Sequence, residues 1–65
     1  MKVVQVSLKR GDTYMTTYVD YRPELKEGMR ITLRDEKKIW WDVETVFLGS
    51  ITDSDKLHTD WNIDI

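Results

Sequence analysis

The stretch MRITLR, residues 29–34, carries the clearest strand signal in the chain. Every second side chain in it is apolar, and a period of two is typical of a strand with one face on a core. Gly28, which can adopt a positive φ, precedes it, and the charged residues 35–38 read as a turn. We therefore predict a strand bounded by turns on both sides.

Two further strands are predicted before this stretch. In the first, Val4, Val6 and Leu8 alternate with polar residues, and residues 13–20 are rich in the β-branched and aromatic side chains that favour strands. Residues 9–12, Lys-Arg-Gly-Asp, have turn chemistry. The two strands should form a hairpin.

A fourth strand is predicted over residues 39–48, ended by Gly49. Its inward-facing apolar residues change parity midway, from the set Ile39, Trp41 and Val43 to the set Val46 and Leu48. A slip of one residue at Glu44–Thr45 indicates a β-bulge, which bends a strand as barrels require.

The C-terminal part is predicted to contain a short helical turn and a last strand. Asp53 or Ser54 can cap the turn, which would run to about Asp60 with Leu57 facing inward. The alternating end of the chain would be a short strand whose apolar face carries Trp61, Ile63 and Ile65.

These elements predict a mostly β fold, a small SH3-like barrel of four to five strands with one short helical turn near the C-terminus. Closure into a barrel hides strand edges, and an open curled sheet is the alternative. With 65 residues and no linker or repeat, the chain is expected to be one domain over residues 1–65.

No residue pattern points to catalysis, a cofactor or a metal. The chain has no cysteine and only one histidine, His58, so neither a thiolate site nor a Ser-His-Asp arrangement is indicated. Asp42 is expected to be the outward neighbour of Trp41, and the three scattered glycines match no phosphate-binding loop. We expect a protein that is not an enzyme and has no cofactor.

Charge is distributed unevenly along the chain. Residues 1–38 hold nine Lys/Arg and six Asp/Glu, whereas residues 39–65 hold one Lys and six Asp/Glu, for a net charge of −2. The two halves either neutralise each other in space or leave one basic and one acidic side. In the second case the acidic residues of the second half could steer the protein to a basic partner. These residues are Asp42, Glu44, Asp53, Asp55, Asp60 and Asp64.

Aromatic residues are the most suggestive feature for binding. Trp40 and Trp41 must point to opposite faces of a strand, and we assign Trp41 to the core. If Met15 and Val19 are buried, the tyrosines of the second strand are exposed. The candidate protein-interaction residues are Tyr14, Tyr18, Trp40 and Trp61, and the alternative is that these rings close the ends of the barrel.

A basic strand face is the alternative basis for function. Arg30 and Arg34 are expected on the outward face of the third strand with Thr32, and Lys37 and Lys38 follow in the turn. Such a face could contact phosphates while nearby rings stack on bases. The net charge of −2 argues against it, because nucleic-acid-binding domains are usually clearly basic.

The pattern as a whole resembles a group of very small phage-encoded proteins, most of them without an assigned function. The resemblance rests on Leu8–Thr13, Tyr18–Asp20, Leu25–Leu33 leading to Trp41–Val46, and Leu57–Asn62. It spans nearly the whole chain in short pieces, of which the Leu-His-x-x-Trp-Asn near the end is the most distinctive.

The resemblance implies a phage protein in the cytoplasm of a host bacterium or in the virion, with no catalytic residues to transfer. The tail Ile63–Ile65 differs from the more polar or Gly-rich tails of those proteins. We therefore predict a non-enzymatic protein-binding module, a virion accessory part or a small factor that engages a host protein. A homo-oligomer is compatible with this role, and neither a signal peptide nor a membrane span is expected.

Overall fold

Five antiparallel strands form one sheet in the computed structural model, which describes residues 1–34 and 36–64. The strands are β1 Lys2–Arg10, β2 Thr13–Asp20, β3 Arg30–Leu33, β4 Trp40–Asp53 and β5 Trp61–Ile63. Their order in the sheet is β2-β1-β4-β3-β5, and every neighbouring pair is antiparallel. The predicted mostly β class is confirmed, and the curled sheet is compatible with an SH3-like barrel.

The predicted hairpin of β1 and β2 is present, with Gly11 and Asp12 as its two-residue loop. The pairing runs from Arg10 opposite Thr13 to Val3 opposite Asp20. Gly11 has φ 60° while Asp12 stays at negative φ, which is the pattern of a type II′ turn with glycine in its first central position. This turn matches the twist of the strands and thereby sets their register.

The predicted bulge in β4 is confirmed at Glu44. Ser7 lies opposite Thr45 and Leu8 lies opposite Val43, so Glu44 is the extra residue on β4. The extra residue reverses the inward parity at this point, as the sequence pattern required.

Gly49 does not end this strand, contrary to the prediction, because a second irregularity carries β4 on to Asp53. Val3 lies opposite Thr52 and Gln5 opposite Phe47, which leaves residues 48–51 bulged out. Ser50 Oγ accepts a hydrogen bond from Gln5 N at 2.8 Å and donates one to Phe47 O at 2.6 Å. A side chain thus replaces the missing ladder bond. Leu48, predicted to face inward, lies on the bulge and is 63% exposed.

The core receives side chains from all five strands. Val4, Val6 and Leu8 are fully buried, as predicted. The rest of the buried cluster is Val19, Leu25, Ile31, Val43 and Trp61, and the partly buried residues packed against it are Met15, Met29, Leu33, Trp41, Val46 and Ile51. Leu25 comes from the loop between β2 and β3, so that loop covers one end of the core.

The loop before β3 is held against β4 by backbone hydrogen bonds. Gly28 N donates to Val43 O, and Val43 N donates to Met29 O, each at 2.8 Å. Gly28 has φ 91°, the positive value expected for it. These bonds extend the pairing of β3 and β4 beyond the strand itself.

The segment predicted as a helical turn forms a bend at residues 55–57, and no helix occurs in the described part of the chain. Asp53 belongs to β4, while Ser54 Oγ accepts a single hydrogen bond from Leu57 N at 3.2 Å. Leu57, expected inside, is 41% exposed. Residues 54–60 connect β4 to β5 instead. Across the described residues, no helix is long and apolar enough to span a membrane.

β5 pairs with β3, with Trp61 opposite Leu33 and Ile63 opposite Ile31. Trp61 is fully buried, whereas Ile63 is 49% exposed although it has the same parity. The predicted apolar face of the last strand is therefore buried only at Trp61, because β5 is an edge strand and its far end has no neighbour on that side. Ile65 lies outside the described residues, as does Asp35 of the predicted charged turn.

The two edges of the sheet, β2 and β5, approach each other at one end. Asp20 N at the end of β2 donates to Thr59 O, just before β5, at 3.0 Å. The sheet is therefore curled and joined at this end, and the remainder of the β2 edge stays open.

We predict that Leu8→Ala lowers the free energy of unfolding by about 3 kcal/mol, because a fully buried side chain on a central strand leaves a cavity. Leu48→Ala removes the same atoms from an exposed bulge and should change it by less than about 0.5 kcal/mol. Urea denaturation of both variants measures the difference, and equal losses would contradict this core.

Candidate protein-interaction surface

One row of side chains crosses four strands on the outer face of the sheet. Tyr14 lies opposite Lys9, Lys9 opposite Asp42, and Asp42 opposite Arg30. Directly opposed residues point to the same face. Lys9 Nζ lies 5.5 Å from the centroid of the Tyr14 ring, and Arg30 Nε donates to Asp42 Oδ1 at 3.1 Å. We call these four residues the outer row.

Trp40 lies beside the outer row on the same face, two residues before Asp42. The Arg30 guanidinium lies 3.8 Å from the centroid of its ring system and the Arg10 guanidinium 5.6 Å. Trp41 packs against the core cluster and Trp40 does not. The predicted assignment of the two tryptophans to opposite faces is confirmed, and Trp40 is half-buried beneath the two arginines.

The tyrosines of β2 lie on the face opposite Met15 and Val19, as predicted. Val19 is buried and Met15 packs against the core. Tyr14 is 63% exposed and Tyr18 is half-buried. Tyr14 therefore belongs to the accessible outer face, two strands away from Trp40 in the sheet, while Tyr18 lies farther along β2.

Trp61, the remaining candidate from the sequence, is not a surface residue: its exposure is zero. Its indole Nε1 donates to Asp20 O at 2.7 Å. The Arg22 guanidinium stacks 3.5 Å from its ring centroid, and Arg22 Nη2 donates to Trp61 O. Trp61 is thus a core residue whose N–H is bonded to Asp20 and whose ring is covered by Arg22.

The Arg22 side chain above Trp61 also lies beside Glu24. Arg22 Nε lies 3.4 Å from Glu24 Oε1 but is not directed at it, and this nitrogen is buried without a hydrogen-bond acceptor in the described structure. In the sequence Arg22 stands out only as the residue before Pro23, a position that favours an extended backbone. No local signal could have revealed its role, because Arg22 and Trp61 are 39 positions apart.

Asp20 is a second residue whose role was missed. Its side chain is buried at the end of β2, where Oδ1 lies 2.6 Å from His58 Nδ1 and accepts a hydrogen bond from Thr59 N at 3.1 Å. His58 is exposed, as expected. Both contacts hold the segment between β4 and β5, residues 54–60, to the end of β2. The role of the Asp20 carboxylate is therefore structural.

The basic candidates do not form one strand face. Arg30 is exposed but is engaged by Trp40 and Asp42. β3 ends at Leu33, and Arg34 adopts φ 52° in the left-handed region with its amide donating to Asp60 O. Thr32 does share the outer face with Arg30, since it lies opposite Trp40, but it is only 4% exposed between its strand neighbours.

Lys37 and Lys38 are exposed in the turn between β3 and β4. The cations predicted as a nucleic-acid face are therefore spread over a strand, a left-handed residue and a turn.

Most acidic residues of the second half lie near cations. Asp42 pairs with Arg30 and Glu44 lies 3.9 Å from Lys9 Nζ. Asp53 and Asp55 lie 3.9 and 3.3 Å from the Met1 amino group. Exposed pairs of this kind contribute little stability, but they do neutralise one another's field. The acidic half is consequently a weak basis for steering a basic partner.

A groove of about 250 Å³ runs along the open edge of β2. We call it the β2 groove. It lies where the sheet fails to close, between β2 and the end of β3, and its lining includes Met15, Thr17, Leu33, Arg34, Trp41 and Thr59. Met15, Leu33 and Trp41 give it apolar lining, and Arg34 and Glu36 add one cation and one carboxylate. In the described residues, no group of three or more His, Cys, Asp or Glu side chains is placed to hold a metal ion.

Comparison with known proteins gives no match to a family model, to a curated protein or to a solved structure. The fold and the surface together define a small all-β protein with a partly closed five-stranded sheet. Its outer face carries an exposed tyrosine, a half-buried tryptophan and one arginine stacked on that tryptophan.

We predict that Arg22→Lys lowers the free energy of unfolding by about 1 kcal/mol. Lysine keeps the charge but lacks the planar group that covers the Trp61 ring and the fork that reaches its carbonyl. Arg10→Lys, at an exposed position, is the matched control and should change stability by less than about 0.5 kcal/mol. Chemical denaturation of both variants measures this, and equal stabilities would show that the stack contributes nothing.

Proposed function

We propose that this protein is a non-enzymatic protein-binding module whose contact surface is the outer face around Trp40 and Tyr14. The observation that carries the proposal is the stacking of Arg30, at 3.8 Å, on a tryptophan that lies outside the core. Trp, Tyr and Arg are the residue types that most often dominate binding energy in interfaces.

The stacked arginine is preorganised for a partner. Trp40 and Asp42 hold the Arg30 guanidinium in place before any contact forms, which reduces the entropy lost on binding. A guanidinium that stacks by its face keeps N–H donors at its edge. Only Nε of Arg30 is used by Asp42, so the terminal nitrogens can meet an incoming acceptor.

This chemistry favours a partner segment that carries a carboxylate next to an aromatic or aliphatic side chain. The carboxylate would accept from Arg30 or Arg10, and the apolar side chain would lie against Tyr14 and Trp40. Lys9 and the two arginines outnumber Asp42 and Glu44 on this face, which supports an acidic partner rather than a basic one.

Binding of single-stranded nucleic acid is the second candidate. Lys9, Arg10 and Arg30 lie close to two aromatic rings, and cations beside stacking platforms suit such strands. Asp42 and Glu44 lie among these cations and would repel phosphates, and the chain has a net charge of −2. These charges favour the protein partner.

A phage origin and a location in the host cytoplasm or the virion stay predictions from the sequence resemblance. The binding role rests on the outer face and does not depend on them.

A random peptide library selected on the immobilised protein tests the proposal, because such a selection does not require a chosen partner. We expect enriched peptides to contain Asp or Glu within a few positions of an aromatic or aliphatic residue. Trp40→Ala should weaken their binding by at least about tenfold, which is the loss typical of a hot-spot residue. Tyr14→Ala should also weaken it, and its exposed ring can be removed without disturbing the core.

Tyr21→Ala is the matched control, because Tyr21 is a partly exposed ring at the opposite end of β2. It should leave peptide affinity unchanged. Peptides that bind Trp40→Ala and Tyr14→Ala as well as the original protein would contradict the proposed surface. Binding of a labelled oligothymidine that weakens steeply with salt would instead favour the second candidate.

A further inference from the structure

The edge strand β2 has an unusual composition for an edge. Residues 14–19, Tyr-Met-Thr-Thr-Tyr-Val, contain no charged residue, glycine or proline. Free edges are normally protected from pairing by charges, proline, a bulge or short length. The other edge strand, β5, has only three residues, and the carbonyl of Trp61 already accepts a hydrogen bond from Arg22. β2 has eight residues, and its one charged residue, Asp20, lies at its end, where the backbone is bonded to Thr59.

The direction of its backbone groups shows which of them are free. Tyr21 N donates to Lys2 O on β1, whereas Asp20 N points the other way and donates to Thr59 O. Because this direction alternates along a strand, the N–H and C=O groups of Tyr14, Thr16 and Tyr18 also point away from β1. No strand in the described part of the chain pairs with them.

We infer that two copies of this chain pair through their β2 edges, antiparallel, with Thr16 opposite Thr16 of the partner subunit. In this register Tyr14 lies opposite Tyr18 of the partner subunit. All the free N–H and C=O groups of Tyr14, Thr16 and Tyr18 then have partners. A slip of two residues in either direction would bring Asp12 or Asp20 into the paired segment and leave some groups unpaired.

The uncharged side chains of β2 suit a second copy of the chain. On the outer face the tyrosines form cross-strand pairs, which stabilise antiparallel sheets. On the inner face Met15 lies opposite Thr17 of the partner subunit, and both residues line the β2 groove. In this register Asp12 of the partner subunit lies opposite Asp20, and Arg34 and Lys56, which line a pocket with Thr16 and Tyr18, supply cations at this end of the edge.

This pairing goes beyond the proposed function and has a consequence for it. Antiparallel pairing through edges continues the outer face of one sheet into that of the next. The dimer would therefore present two aromatic contact surfaces on one side.

The mass of the full chain in solution tests the inference. Analytical ultracentrifugation over about a hundredfold range of protein concentration should show a species of twice 7.8 kDa that dissociates on dilution. Thr16→Lys places like charges opposite each other at the symmetry axis and should raise the dissociation constant by at least about tenfold. Thr52→Lys is the control on β4, at an exposed threonine away from this edge, and should leave it unchanged.

A charge-reversal pair makes the test specific for this register. Thr16→Lys and Thr16→Glu should each dimerise weakly alone, because like charges then face each other. When the two variants are mixed they should form a heterodimer, because the opposed charges then attract. A chain that stays monomeric throughout, a Thr16→Lys variant as dimeric as the original protein, or no gain on mixing would each overturn the inference. If the edge instead accepts extended peptides while the chain stays monomeric, the occupant is a different protein.

Discussion

The burial of Trp61 is the interaction on which the remainder of this structure depends. Burying an indole removes roughly 200 Å² from water, worth on the order of 4 kcal/mol, and that is comparable to the whole stability of a domain this small. Trp61 lies on a three-residue edge strand that could not hold it alone. Arg22 covers its ring and Asp20 O accepts a hydrogen bond from its indole N–H. Residues at the end of β2, the opposite edge strand, therefore keep Trp61 buried.

The same contacts determine the shape of the sheet. Asp20 joins the end of β2 to the segment before β5 through its backbone and through its side chain. The sheet therefore curls until its two edge strands meet at that end. Beyond Asp20 nothing in the described chain continues the closure, and the β2 groove and the free edge of β2 are the result.

The outer face owes its composition to strand geometry. The bulge at Glu44 lets β4 keep Val43 and Val46 on the inner side while Trp40 and Asp42 remain outside. The short pairing of β3 with β4 then places Arg30 beside both of them. The proposed contact surface of aromatic rings and guanidinium groups is thus assembled from three strands, and its tyrosine comes from a fourth. Because Tyr14 also lies on the open edge, contact with a partner protein and pairing of two copies would share one strand.

The sequence by itself determined the strands, the hairpin turn at Gly11, the bulge at Glu44 and the opposite orientation of Trp40 and Trp41. These features follow from alternation and turn chemistry, which are local. The end of β4, the exposure of Leu57 and the burial of Trp61 were decided only by tertiary structure. Ser50 replaces a ladder bond of β1, and Arg22 and Asp20 reach Trp61 across 39 and 41 residues. Contacts of that range leave no periodic trace in a sequence, because each depends on how the whole sheet curls.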